Sequence, residues 1–569
     1  MFGAGRGRNL IRVLATEVQG LQRAVYVLAL FALLSSLLAL LRDRIFAHLF
    51  GAGETLDLYV AAFRIPDFLF VAMGALVSVY VLIPELSRRS GSEQRDYIDT
   101  IIVGFSILVI VLCSAAALLA PAILSLLFPQ FVSSGLLPEL TLLTRIMLLQ
   151  PVLLGFSNIL GAITQSRHRY VLYAISQPLY NVGIIIGALV FYPMFGIAGL
   201  ALGVVLGAAF HVGVQLPSIV ADNYFQRLPR LFEPKALMAT AFVSIPRALA
   251  LSMNQITFSG LIALAGLLPT GSIAVFNFAY NLQSVPLVLI GASYSVAAFP
   301  GLAAALAAGD RRRFLDQMAT AARYVIFWSL PAVALIIVLR AHVVRVILGS
   351  GAFDWTDTRL VAACFALFAL SLVAQGLSLL VARAYYAAGR TFVPFLVSLG
   401  IAVSTILLGA ASVGALHIPI IYTVFGTLLR VVDVPGVSVL ALAFAYALSS
   451  IGGVIVLLIH FESRFRGFFR EIQSSILHAT LAAGSAAVAA YLVLQATGPI
   501  TLASTVLTVF LHGFAAGIGG IIAAGFVYWL LSRKEYMETL VAMKSRIPSL
   551  RKRAEELPPD IVAASEEHI

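Results

Sequence analysis

Apolar runs of 20 or more residues, almost free of charge, recur along the whole 569-residue chain, and no other feature restricts its fold as strongly. A bilayer core is roughly 30 Å thick and a helix rises roughly 1.5 Å per residue, so about 20 apolar residues in a row cross it. Inside hydrocarbon every backbone N–H and C=O must find its partner within the protein, and for single runs of this length that means helix. Only 11% of the residues are charged and 61% are hydrophobic, against roughly 25% charged in an average soluble domain. The fold class is therefore an all-α polytopic membrane protein, and a string of soluble domains is excluded.

Fourteen segments of spanning length are predicted, near 24–50, 56–87, 97–127, 138–164, 170–192, 194–218, 236–266, 272–304, 315–339, 358–387, 392–414, 436–460, 474–495 and 503–531. Val25 to Leu41 exceeds the roughly 7–15 apolar residues of a cleavable signal and no small-residue cleavage site follows, so it reads as the first span. From a basic N-terminus (Arg6, Arg8, Arg12, Arg23), every second connection is basic. These connections carry Arg88, Arg89 and Arg95; Arg167 and Arg169; Arg227, Arg230 and Lys235; Arg311, Arg312 and Arg313; Arg390; and Arg464, Arg466 and Arg470. The alternate connections near 128–137, 193, 267–271 and 496–502 hold no Lys or Arg, while those near 340–357 and 415–435 hold a few. The positive-inside rule then places both termini in the cytoplasm. The net charge of +11 marks topology in this pattern and not a nucleic-acid surface. Cys113 and Cys364 fall inside apolar runs, as small buried hydrophobes with no disulfide framework.

Residues 1–23 read as a cytoplasmic segment, 24–220 as a first six-span lobe, and 236–460 as a second. Two further spans at 474–531 form an appendage, and 532–569 a cytoplasmic tail that is either a basic helix at the leaflet or a solvated end. The lobes echo each other: Ala62-Phe63-Arg64, Gly74-Ala75 and Ser78 recur 217 residues later as Ala279-Tyr280-Asn281, Gly291-Ala292 and Ser295. Gly155, Ser157 and Arg169 recur 221 residues later as Gly376, Ser378 and Arg390. An offset that passes over six spans gives both halves one orientation, a parallel pseudo-twofold repeat of the kind that holds substrate between two rocking halves.

Ionisable residues within spans face a cavity or a partner, because insertion costs roughly 2.5–3.5 kcal/mol each. The first span ends in Arg42-Asp43-Arg44; the second holds Asp57, Arg64 and Asp67; later ones hold Arg145 and Arg247. The triplet could snorkel to headgroups, and its members point about 100° apart on a helix, so only part of it faces any one cavity. Asp57 and Arg64 lie seven residues apart, which on a straight helix sets acid and base on one stripe, as ion pair or ligand site. Arg145 and Arg247 either brace helices or reach a ligand. An excess of guanidinium suits an anionic ligand, since its fork matches phosphate or carboxylate oxygens. Pro66, Pro84, Pro246, Pro286 and Pro300 sit within spans and invite kinks. His48, His211 and His512 are isolated; no metal-ligand spacing, phosphate-cradling loop or acidic catalytic cluster is present, so neither enzyme chemistry nor a cofactor is indicated.

The chain resembles the MurJ (MviN) lipid II flippases of the multidrug/oligosaccharidyl-lipid/polysaccharide exporter superfamily. Arg42-Asp43 followed by Phe50-Gly51-Ala52-Gly53, with Asp57 and Phe63-Arg64-Ile65-Pro66, is similar to that family's first-helix pattern and its continuation. Leu143-Thr144-Arg145-Ile146-Met147, the run from Phe195 to Gly203, Pro269-Thr270-Gly271-Ser272-Ile273, Gly351-Ala352-Phe353-Asp354 and the run from Ala384 to Gly389 match as well. The resemblance runs from about residue 22 to 410. It implies fourteen helices, two lobes and an appended pair forming a lipid groove, in a bacterial inner membrane. It implies that an undecaprenyl-pyrophosphate-linked precursor, lipid II, is moved from inner to outer leaflet by alternating access. Membrane lipids are implied partners, and cell-wall synthesis enzymes further ones. The expected substrate-binding residues are Arg42, Asp43, Asp57, Arg64, Arg247 and Asn281.

Two departures stand out. Asn281 replaces an arginine usual in the family, and Phe68 to Met73 is wholly apolar where further Arg and Glu are usual. Either Arg247 or Arg145 compensates, or the cargo differs; another polyprenyl-linked glycan, or an inactive relative serving as a scaffold, are the alternatives.

Overall fold

A computed structural model describes residues 21–74, 82, 86, 88–167, 169–216, 249, 252–416, 418–498, 505–532, 535–538 and 541. Among them there is no strand. In chain order the principal helices of the first half are α1 (Leu21–Phe50), α2 (Glu54–Ala62), α3 (Arg64–Gly74), α4 (Gly91–Leu127), α5 (Leu137–Met147), α6 (Leu149–Ser166), α7 (Tyr170–Ile186) and α8 (Ile197–Gly213). Those of the second are α9 (Ser272–Pro286), α10 (Ser293–Ala307), α11 (Arg311–Ile347), α12 (Trp355–Ala369), α13 (Leu372–Ala387), α14 (Phe392–Ala415), α15 (Pro419–Leu429) and α16 (Val439–Arg464). α17 (Phe468–Thr497) and α18 (Val506–Leu531) close the series. Nine described helical stretches are long and apolar enough to cross a membrane, or ten if α12 and α13, bent by 42° where they meet, form one broken span. Of the other expected spans the first is the 30-residue α1 and the sixth the 17-residue α8. The second and seventh lie partly outside the described residues, as do Pro84, Pro246 and Arg247.

The break in the second span follows from Pro66. Lacking an N–H, it cannot bond the Ala62 carbonyl one turn back. The buried Thr144 hydroxyl of α5 donates to that carbonyl instead, at 3.4 Å, and helix pairing resumes with Asp67 N–H to the Phe63 carbonyl at 2.8 Å. The helix is therefore interrupted at Phe63, and the pairing of Asp57 with Arg64 expected on one stripe does not form, since Asp57 bonds to the Gly271 and Ala274 N–H groups. Downstream, Pro286 gives way to a π turn over Leu287–Ala292, an accommodation of the same missing donor.

The chain divides into two compact units. One holds residues up to Leu282 together with Ile347–Cys364 and Thr391–Ser449. In it α7, with the π turn Gly187–Phe191 that follows it, crosses α8 at Gly183, Gly187, Gly203 and Gly207, where backbone meets backbone because no side chain intervenes. The other holds Gln283–Val346, Phe365–Arg390 and the chain from Ser450 onward. There the α17–α18 hairpin rests on α11: Tyr528 stacks on Phe327 at 3.9 Å between centroids, and its hydroxyl donates to the Phe327 carbonyl at 2.6 Å.

Candidate functional site

The site lies within the first unit, under a knot of three turns. Helix α9 starts after Gly271, which has no side chain with which to cap its own free N–H groups. Asp57, projecting from α2, supplies the cap: its Oδ2 accepts from the Gly271 N–H at 2.6 Å and its Oδ1 from the Ala274 N–H at 2.8 Å. One carboxylate thus performs what a serine and a glutamate share in an ordinary capping box. Gly271 is in the left-handed region, φ +90°, and a Cβ on it would overlap the Ala52 carbonyl oxygen. Ala52 in turn donates its N–H to Asp357 Oδ2 at 3.0 Å, and Ala352 N–H to the His48 carbonyl at 2.9 Å. Arg44 reaches the Ile347 carbonyl at 3.2 Å. The Phe-Gly-Ala-Gly, Pro-Thr-Gly-Ser and Gly-Ala-Phe-Asp segments, far apart in sequence, are therefore bolted together by bonds to backbone.

Beneath this knot is a cavity of about 160 Å³, lined among others by Arg42, Asp43, Tyr59, Arg64, Asp67 and Asn281. At roughly 30 Å³ per water it holds about five water-sized volumes, the scale of a hydrated phosphate group. Arg42 folds back on its neighbour, with Nε and Nη2 both donating to Asp43 Oδ1 at 3.0 and 2.8 Å. Its Nη1 donates to Asn181 Oδ1 on α7 at 3.2 Å. The other oxygen of Asp43 accepts from Asn281 Nδ2 at 2.9 Å, so the residue standing where an arginine is usual holds the acid from its far side.

Arg64 is less completely held. Its side chain is 6% exposed; Nε donates to the Val60 carbonyl at 3.1 Å, and Nη2 touches Asp67 only at 3.5 Å. The guanidinium stands 4.9 Å from the centroid of the Phe258 ring. Nη1 is buried with no hydrogen-bond partner among the described residues. Leaving a buried charged donor unmet is expensive, more than the roughly 1–3 kcal/mol of a neutral group. The residue lines the cavity, and a small rotation of its side chain would be needed to turn Nη1 into that space. The two arginines and two aspartates balance formally, and the spare bonding capacity lies on Arg64.

Four of the six sequence-predicted residues, Arg42, Asp43, Arg64 and Asn281, line this one cavity. Asp57 sits beside it with both oxygens committed to the α9 N-terminus. Arg247 lies outside the described residues. Arg145 is turned away, exposed and donating to the Ala117 carbonyl at 2.9 Å, which makes it a brace. Arg44 belongs to the knot, not the cavity. Sequence reasoning missed Asn181 and Phe258; Asn181 was discoverable as a lone amide in an apolar span, whereas one aromatic among many carries no such signal. His211, expected to be isolated, bridges Ser157 and Ser176 through its two ring nitrogens at 2.6 and 3.1 Å. Among the described residues no group of three or more His, Cys, Asp or Glu could hold a metal ion.

With this geometry in hand, the comparisons with known proteins are specific. The family model for lipid II flippase MurJ matches residues 46–511. The lipid II flippase MurJ of Burkholderia cenocepacia is 24% identical over 398 residues, covering 67% of this chain and 76% of that protein. The probable lipid II flippase MurJ of Bdellovibrio bacteriovorus is 27% identical over 403 residues, 67% of this chain and 75% of its own. Among solved structures, lipid II flippase MurJ in an inward closed conformation superposes with a TM-score of 0.70 at 21% identity, covering 89% of this chain and 99% of that one. An inward-facing multidrug resistance MATE family transporter of the MOP superfamily gives 0.60 at 15% identity, covering 77% and 96%. At these identities the structural likeness establishes the fold.

Proposed function

Since the chain belongs to the lipid II flippase MurJ family, we propose that it carries a lipid-linked peptidoglycan precursor, lipid II, from the inner to the outer leaflet of a bacterial inner membrane by alternating access. It is a multi-pass membrane transporter and not an enzyme. The observation that carries the cargo reading is the placement of two guanidinium groups, Arg42 and Arg64, in the lining of one phosphate-sized cavity, with Arg64 held only by the Val60 carbonyl and a 3.5 Å contact to Asp67.

In this reading Asp43 and Asp67 are resident counter-ions. They hold Arg42 and Arg64 when the cavity is empty, and an incoming pyrophosphate takes over the guanidinium of Arg64, whose 3.5 Å contact with Asp67 is the weaker of the two pairs. Asn281 positions Asp43, and Asp57 acts through the α9 N-terminus as a positioning residue. Arg247 remains a proposed ligand from the sequence alone. The glycan and peptide of the cargo would extend beyond this cavity, which accommodates the charged group only.

The arginine-rich connections at 88–95, 167–169, 311–313, 390 and 464–470 support fourteen spans in two lobes plus an appended pair, with both termini cytoplasmic. The knot at Gly51, Gly271 and Gly351 then lies at the outer end. A closed outer end above an anion cavity fits a state awaiting cargo from inside. Opening requires the α9 cap and its neighbours to part.

The test is rescue of cells depleted of their own flippase, paired with translocation of fluorescent lipid II in proteoliposomes. Rescue by wild type and none by Arg64→Met supports the proposal. Well-folded protein that neither rescues nor translocates overturns it; movement of a different polyprenyl-linked glycan would reassign the cargo. Removing the residues after 535 should leave translocation largely intact, whereas a scaffold contacting cell-wall synthesis enzymes through the tail would fail.

A further inference from the structure

The stretch between α14 and α16 contains an element that the cavity does not use. Helix α15 has 11 residues, about 16 Å of length, roughly half of what a bilayer core requires. One of its faces is packed: Phe425 meets Phe444 edge-on at 5.2 Å, Gly426 lies against Val432, and Leu429 is buried. The opposite face is bare, with Ile420, Val424 and Leu428, spaced one turn apart, exposed by 74%, 61% and 76%. The helix itself bears no charge, and the first charged residues come immediately after it. There Arg359 grips Asp433 with both terminal nitrogens at 2.7 and 2.6 Å and the Arg430 carbonyl at 2.6 Å. Arg430 closes the helix in the left-handed region, φ 60°.

We infer that α15 is an interfacial anchor whose partner is the lipid surface itself, the boundary between headgroups and acyl chains at the end of α14 away from Arg390. Three observations converge on that occupant. α14 has 24 residues, about 36 Å, so the chain leaves the hydrocarbon core just before Pro419. Leu396, Leu399, Val403 and Leu407 give α14 an exposed aliphatic stripe, and α15 carries its own at Ile420, Val424 and Leu428. The ion-paired Arg359–Asp433 clamp sits at the end of the apolar helix, as headgroup-level polar residues do in helices lying in the membrane plane. A second copy of the chain is a poor fit, because three aliphatic side chains fall well short of the roughly 800 Å² per partner of a stable interface. The anchor fixes the α14–α16 hairpin to one leaflet independently of what the cavity carries.

The test uses full-length protein in phosphatidylethanolamine/phosphatidylglycerol bilayers, with Cys113 and Cys364 replaced by alanine and nitroxides placed singly at Ile420→Cys, Val424→Cys and Leu428→Cys. All three sites are exposed, so labelling does not challenge the fold. Collision with oxygen is expected to exceed collision with a water-soluble nickel chelate severalfold at each site. The depth should be shallower than at Val403→Cys in the neighbouring span. Nickel collision as frequent as oxygen collision would place the helix in water and overturn the inference. Spin–spin broadening would assign the face to a second copy, and shielding from both reagents to another protein surface; either result also overturns it.

Discussion

Arg64→Met separates a functional guanidinium from a structural one, because the two roles predict opposite changes in stability. The substitution removes a bond to the Val60 carbonyl, worth about 1.5–3 kcal/mol as a charged hydrogen bond. It also removes a ring contact with Phe258, worth about 0.5–2 kcal/mol. The Asp67 pair adds little at 3.5 Å, and Asp67, with a 28% exposed side chain, keeps its access to water. Against these losses stand the relief of the unmet Nη1, more than about 1–3 kcal/mol, and the desolvation of a charge, several kcal/mol. Methionine keeps much of the volume and bends to fit. The balance favours Met by about 1–3 kcal/mol, in the range found when buried ionic groups give way to apolar ones of similar volume. Thermal unfolding can be followed with a thiol-reactive fluorophore, since Cys113 and Cys364 are 7% and 0% exposed and become reactive only as the bundle opens. The expected result is a higher unfolding temperature together with loss of lipid II translocation. Destabilisation by more than about 2 kcal/mol would show the guanidinium to be a brace, and normal translocation would remove it from the transport path.

Asp57→Asn should loosen the cap on α9, since an amide presents an N–H to one of two backbone donors. At about 1.5–3 kcal/mol for a charged bond, the closed population falls roughly 10- to 150-fold relative to the open one. Spin-label distances between Leu49→Cys and Leu267→Cys, both exposed, should then gain a longer component. Arg42→Ala is expected to abolish translocation while circular dichroism and gel-filtration profiles stay unchanged; full activity would exclude Arg42 from the mechanism. The Arg359 guanidinium holds the Asp433 carboxyl down to about 2 from its ordinary value near 3.8. A carboxyl lowered on folding stabilises above its unfolded value and loses that contribution as pH falls. The difference in unfolding temperature between wild type and Arg359→Gln should therefore be full above about pH 4 and fade towards pH 2.

Much of the fold could be read from composition, because a 20-residue apolar run has one stable answer in lipid. The cavity was partly legible for the same reason inverted: Arg42, Asp43 and Arg64 are conspicuous only because hydrocarbon surrounds them. Their distribution among partners was not legible. Asp57 was matched to Arg64 on helical spacing, yet the helix is interrupted between them and Asp57 binds backbone N–H groups 214 and 217 residues away. Backbone donors leave no trace in a residue pattern, so a carboxylate that caps a remote helix looks like one awaiting a cation. Arg145 stayed open between brace and ligand, since a guanidinium on a carbonyl is indistinguishable in sequence from one aimed inward; its bond to the Ala117 carbonyl makes it the brace.

The composition of the knot also bears on how it can open. Five hydrogen bonds hold it: two on Asp57, one each on Asp357 and Arg44, and one between Ala352 and His48. Four of them involve a charged group, at about 1.5–3 kcal/mol each, and the fifth is worth about 1 kcal/mol, so they sum to about 7–13 kcal/mol. That exceeds the roughly 5.5 kcal/mol of differential binding that swings a two-state population from 1:99 to 99:1, so the knot parts only if water takes over some of the freed groups. A seal made of helix caps and backbone carbonyls is strong enough to keep an empty cavity closed at that end. Its bonds are polar and can be exchanged for bonds to water as it parts, and Arg64, in the neighbouring cavity, is where an anion's binding energy would enter.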